Sequence, residues 1–285
     1  MGGRMSAGLR FGGEVPLVQT ICDELAAITD PEGEAEKGID SPILSKVLKL
    51  MDKLEPEDLG LSEDDFQDLT HPLCMQVFAE DDSFFEMTVF ILAKGAELPL
   101  HDHPNMAVLS KILFGSLGVD SYDVESDGDF SPNSTSGADA DAEVAGEGRR
   151  QGWDDIAGGG GGLRRVCVKQ PHRIATAAAP SFLLTPSKGN IHAFRALTAC
   201  AVFDVLVPPY DSPRGRRCSY FRVETSVAVT PQAVANVSGR GDVEGETGVV
   251  GEARERVVLR EMPEPDGLPQ WSRYLGPSVT LRQMF

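Results

Sequence analysis

The chain has 285 residues, 41% of them hydrophobic, enough to bury a sizeable core as one domain. A formal net charge of −18 excludes the basic patch that a nucleic-acid interface requires. No apolar run approaches the ~20 residues that span a bilayer, so no membrane partner is expected.

Five cysteines, an odd number with no C-x-x-C pair, suit a reducing, cytoplasmic compartment better than a disulfide framework. No signal-peptide core opens the chain. The first six residues, MGGRMS, fit the short N-myristoylation pattern at Gly2, a match that is common by chance.

Residues 1–13 are glycine-rich and are expected to be disordered, with a single domain over 14–285. Apolar residues recur at helical spacing over 15–28 and 43–54, and the acidic stretch 29–40 between them reads as a turn. Ser41-Pro42 makes a helix entry, with serine as cap and proline in the first turn. The helical segment 15–61 closes with LEPEDLGL. His71 and Cys74 follow at a spacing more often structural than ligating.

From Cys74 the pattern turns to strands. Residues 84–92, FFEMTVFIL, are rich in β-branched and aromatic side chains, and Gly95 marks a turn. Val108–Leu113 and Leu117–Tyr122 read as a hairpin around Phe114-Gly115-Ser116. Residues 124–162 are rich in Asp, Gly, Ser and Ala and cannot offset the entropy of ordering, which makes them a low-complexity insert. Their five-glycine run lacks the lysine and the strand–helix context of a phosphate loop. Strand signals resume over 163–169, 174–184 and 194–207, a second polar insert covers 231–255, and 257–281 rejoins the ordered part.

The chemistry concentrates in Leu98–Gly115, LPLHDHPNMAVLSKILFG. On a strand, residues two apart project from one side, so His101 and His103 can reach one metal ion. Pro99 and Pro104 flank them and disfavour a helix. His192 follows a Pro/Gly turn in TPSKGNIHAF. Gly95, His101 and His103 satisfy G-x5-H-x-H, while Pro186, Gly189 and His192 satisfy P-x-x-G-x-x-H.

These two motifs resemble the metal motifs of the cupin superfamily. They imply an all-β core, a double-stranded β-helix or jelly-roll barrel, with the N-terminal helices packed outside. The carboxylate usual after the second histidine is absent, since Ala107 and Val108 stand there. Three neutral imidazoles leave a divalent iron its full charge and open positions, so that a thiolate can supply the missing anion. The stretches 98–123 and 189–223 resemble the plant cysteine oxidase and cysteamine (2-aminoethanethiol) dioxygenase family over most of the chain outside the inserts.

That resemblance implies Fe(II) on His101, His103 and His192, with O2 as co-substrate. It implies oxidation of an N-terminal cysteine of protein substrates to the sulfinic acid, an oxygen-sensing step in an N-degron pathway, by a monomer in the cytoplasm or nucleus. A small aminothiol, cysteamine giving hypotaurine, is the alternative substrate. It also carries Asp204 as a cavity-facing partner for a substrate amine, Tyr210 as a hydrogen-bond donor, and Cys218 and Tyr220 as a pair near the iron, open to a thioether cross-link. The plainer readings are a strand-end carboxylate, a packed aromatic and a buried free thiol. Two other classes compete: a cupin acting on carbon, which usually keeps the carboxylate ligand, and a non-catalytic metal-binding cupin module.

Overall fold

A computed structural model describes residues 15–62, 71–78, 84–125, 163–229, 254–274 and 276–281. The myristoylation pattern at Gly2, the start expected to be disordered and nearly all of both inserts lie outside these residues.

Three helices come first: α1 (Leu17–Leu25), α2 (Pro31–Lys37) and α3 (Pro42–Met51). Ser41 caps α3 as expected, its hydroxyl accepting from Leu44 N at 3.1 Å with Pro42 in the first turn. The expected turn over 29–40 is instead largely helical. Asp30 accepts from Gly33 N at 3.1 Å and Pro31 opens the helix. An N-cap carboxylate, a first-turn proline and Glu32 and Glu34 near the positive helix end together outweigh the poor propensity of Gly33.

Thirteen strands follow among the described residues. They are β1 (Leu73–Phe78), β2 (Glu86–Leu92), β3 (Glu97–His101), β4 (Ala107–Phe114) and β5 (Ser116–Val124). Next come β6 (Arg164–Lys169), β7 (Arg173–Thr176), β8 (Phe182–Leu184) and β9 (Ile191–Ala196). The last are β10 (Cys200–Val207), β11 (Tyr220–Val229), β12 (Arg254–Met262) and β13 (Gln270–Ser272).

They form two sheets, β13-β1-β2-β10-β4-β8 and β6-β12-β11-β3-β9-β5-β7. This is the all-β jelly-roll core expected from the sequence. The helices cover the outer face of the first sheet: Val18, Ile21, Leu44, Val47 and Met51 share one buried cluster with Met87, Val89, Ile91, Phe203 and Val205. Alternate residues of the same strands, Leu92, Cys200 and Val202, pack inward against Leu98, Val119 and Phe194 of the second sheet. In the second sheet β5 also pairs with β6, which closes six strands into a ring. Tyr122, Cys167, Ile191, Phe221, Val257 and Leu259 are buried together there. The C-terminal segment belongs to this fold. β13 pairs in parallel with β1, and Gln19 exchanges hydrogen bonds with both backbone groups of Thr280 (3.0 and 2.8 Å).

The expected hairpin around Gly115 is a crossover. β4 pairs with β10 and β8, whereas β5 pairs with β9, β7 and β6 in the other sheet. Gly115 makes this corner at φ +75°, where an added Cβ would lie 2.1 Å from the Ala199 carbonyl oxygen. Gly95 also has positive φ (+84°) but nothing within 4 Å of its would-be Cβ. Gly115→Ala should therefore cost more than about 3 kcal/mol, combining backbone strain with a backbone clash. Gly95→Ala should cost only about 1–2 kcal/mol. Urea melts of the two variants check this; equal losses would show that the corner does not depend on the close approach.

Candidate metal centre

The pairing of β3 with β9 sets His101 directly opposite His192. His101 is the last residue of β3, and His103 lies just beyond it in the turn, so the two are not successive same-face positions of one strand as expected. The turn carries Asn105 at φ 55° and brings His103 back to the other rings. One ligand atom from each of the three histidines lies within 4.8 Å of the others. Among the described residues no other group of three or more His, Cys, Asp or Glu is so arranged.

Hydrogen bonds at the rear of two rings choose the tautomer. His101 Nδ1 lies 2.7 Å from the Pro99 carbonyl, which can only accept, so Nδ1 holds the proton and Nε2 keeps its lone pair. Tyr210 donates its single hydroxyl proton to the Asp102 carbonyl (2.8 Å). Its oxygen then accepts from His103 Nδ1, also at 2.8 Å. His192 Nδ1 is buried with no hydrogen bond of good geometry, and the Gly189 backbone is the polar group that acts on the ring. Burial lowers the pKa of all three rings; His101 and His192 lower that of His103 further, and His101 lowers that of His192. Three neutral, converging imidazoles with free lone pairs fit a divalent transition metal.

Tyr210, Cys218 and Tyr220 join this cluster. The Tyr210 ring stacks on His103 with centroids 5.3 Å apart, and Tyr220 lies opposite His101 in register, with centroids 6.2 Å apart. Cys218 precedes β11, yet its thiol hydrogen-bonds both phenols. Burial pushes that thiol up to about 11 against those two hydrogen bonds, so it stays protonated at neutral pH.

Asp204 lies apart, on β10 of the first sheet, opposite Thr88 and Ser110. Its side chain alternates with those of Phe203 and Val205 and so faces the interior. Burial pushes its carboxyl up to about 7, opposed by the Ser110 hydroxyl, and Oδ1 has no hydrogen-bond partner.

Three supporting residues were not singled out from the sequence. Asp102 is fully buried between the two histidines, its backbone N–H donating to Ser219 O (3.1 Å) and its carboxylate accepting from Ser219 N (2.8 Å). Arg165 lies 3.2 Å from the same carboxylate. Asn190 clamps the His103 backbone, accepting from its N–H (3.2 Å) and donating to its carbonyl (2.5 Å). Arg216 is buried and donates to Pro209 O and Glu32, both at 3.0 Å, which fixes the loop that carries Tyr210.

A family model described as PCO_ADO matches residues 50–279. The chain belongs to that family. Its curated relatives include plant cysteine oxidase 1 of Arabidopsis thaliana, 28% identical over 186 residues, covering 62% of this chain and 54% of the relative. Another is the 2-aminoethanethiol dioxygenase of Homo sapiens, 31% identical over 205 residues, covering 69% and 71%. The chain thus spans about half the length of the plant relative. Among solved structures, an RmlC-like cupin from Desulfovibrio desulfuricans aligns with 53% of this chain and 94% of its own, at 17% identity and a TM-score of 0.30.

In this PCO_ADO member, His101→Ala, His103→Ala or His192→Ala should each lower bound metal at least tenfold, since each removes one of three ligands. Metal analysis after dialysis checks it, and full occupancy in any variant would remove that residue from the set.

Asp204 carries a stability cost that can be measured. With its pKa raised from 3.8 to about 7, the folded state holds a proton that the unfolded state has lost. Its contribution therefore falls as pH rises from about 4 to about 7 and is level above. Three units correspond to about 4 kcal/mol, as an order of magnitude. Asp204→Asn should accordingly stabilise the metal-free protein, with the gain growing from pH 4 to pH 7 and flat above. A gain that does not vary with pH would mean that the carboxyl titrates normally.

Proposed function

We propose that this protein is an iron(II)-dependent thiol dioxygenase acting on the N-terminal cysteine of protein substrates. The observation that carries the reading is a ligand set of three neutral imidazoles with no carboxylate. Ala107 and Val108, at the positions where a cupin glutamate would stand, are buried apolar residues of β4. His101, His103 and His192 would hold iron(II) there, and the ion would supply a cationic, redox-active centre for an anionic thiolate and dioxygen.

The chain's own groups orient and shield. Met106, Val108, Leu184 and Leu206 are buried together, with Tyr210 packed against them, and keep water from that side. The Tyr210 and Tyr220 phenols and the Cys218 thiol stay protonated, because burial raises all three; the Tyr210 proton is held by the Asp102 carbonyl, which leaves Tyr220 and Cys218 as the donors. Asp204, ionised above about pH 7, offers an anion across the interior to a substrate ammonium. The overall change balances without an external reductant: the thiol sulfur is oxidised by four electrons, dioxygen is reduced by four, and both oxygens end on sulfur as a sulfinic acid.

The likeness to the human 2-aminoethanethiol dioxygenase supports a second reading, oxidation of free cysteamine. The two substrates share a free amine beside the thiol. Five free cysteines suit a reducing compartment, which we take to be the cytoplasm. Among the described residues no helix is long and apolar enough to cross a membrane.

A Cys-initiated peptide incubated aerobically with the iron-loaded protein should gain the mass of two oxygen atoms, both from labelled dioxygen. N-terminal acetylation should slow it at least tenfold, because a charge-assisted hydrogen bond is worth roughly 1.5–3 kcal/mol. Equal rates would rule out amine recognition, and turnover of cysteamine alone would select the second reading.

A further inference from the structure

Beside the metal centre, a groove of about 960 Å³ runs along the paired strands β11 and β12. Cys218 and Tyr220 line it together with Arg217, Arg222, Arg260 and Glu261, so its inner end is the wall of the histidine site. Tyr220 and Arg222 share one face of β11, while Phe221 between them is buried in the strand ring.

The register sets Arg222 directly opposite Arg260. Like charges at directly opposed positions destabilise a sheet, so this pair needs an anion. Glu224 is already divided between Arg164 (2.9 Å) and Arg260 (3.4 Å), and Glu264 lines the groove toward Cys218 and Tyr220. Glu261 is engaged by Arg217 at 2.6 Å. Among the described residues Arg222, which is exposed, has no carboxylate within ion-pair distance. Three guanidinium groups, Arg217, Arg222 and Arg260, thus face two carboxylates, Glu261 and Glu264, in the groove wall, a small local excess of cation in a chain of net charge −18. Beyond about 8 Å, physiological salt screens the repulsion that the rest of the molecule exerts on an acidic partner. The groove charge therefore decides at contact.

We propose that this groove holds the residues following the N-terminal cysteine of a protein substrate and favours an acidic side chain at the second to fourth position. The inference rests on the thiol-dioxygenase reading and adds a sequence preference to it. Tyr220 stands level with His101, and Arg222 is two residues further, roughly 7 Å along a strand. An extended peptide whose cysteine sulfur is at the histidines brings its next few residues past the two guanidinium groups.

The test uses two peptides, Cys-Gly-Gly-Asp and Cys-Gly-Gly-Lys on a common tail, with labelled Ser-initiated copies for binding. The aspartate peptide should show a kcat/KM and an affinity about fivefold above the lysine peptide, the range of an exposed charge pair. The advantage should fade as ionic strength rises. Arg222→Glu should invert the preference, and Arg222→Lys, which keeps the charge, should retain it. Turnover of both peptides with no acidic preference in rate or binding would overturn the groove assignment and leave the thiol chemistry standing. Acidic preference in binding without oxidation of either peptide would do the reverse.

Discussion

The structure depends on three imidazole rings held with centroids 4.7–4.8 Å apart inside a buried site, an arrangement that tolerates little positive charge. Two protonated rings at that distance would repel by about 3.5 kcal/mol even at an effective dielectric of 20. The rings must therefore be neutral, and each needs a fixed partner for its remaining N–H. The Pro99 carbonyl and the Tyr210 hydroxyl meet that need for His101 and His103. Much of the surrounding polar architecture holds those partners still: Asn190 on the backbone of His103, Asp102 on Tyr210 and Ser219, Arg216 on the loop before Cys218.

The same neutrality narrows the chemistry. A site with a carboxylate ligand would enter the reaction with less positive charge to offer an incoming anion. On the proposed reading the first anion comes from the substrate, which favours sulfur over carbon chemistry. The protein's own acid in the interior, Asp204, sits on the opposite sheet, beside Thr88 and Ser110. Its raised pKa is the mark of a group kept at a cost to stability, and such costs concentrate at functional positions.

Local patterns carried much of this in the sequence. The two histidine motifs, the helical periodicity of α1 and α3 and the serine cap at Ser41 each depend on neighbours a few residues away. The misreadings came where local signals conflict or where the outcome depends on distant pairing. Residues 29–40 have the composition of a turn, but capping by Asp30 makes most of them helical. Gly115 is bounded by two good strands, and nothing in a single sequence says whether such strands pair or part into different sheets. Asp102, Asn190 and Arg216 act on partners 87 to 184 residues away, which spacing alone cannot reveal.

The ion pair between Arg216 and Glu32 has a consequence for how the protein comes into being. It ties the rim of the metal site to α2, 184 residues earlier in the chain, and Gln19 in α1 meets Thr280 across 261 residues. Contacts so distant form late, after the loop-closure entropy of nearly the whole chain has been met. The helices laid on the outside of the barrel thus help to hold Tyr210 behind His103, through Glu32 and Arg216. A nascent or truncated chain would carry all three histidines without the geometry to use them. Metal retention would therefore report a chain in which α1 and α2 have already met the rim of the site and the C-terminal segment.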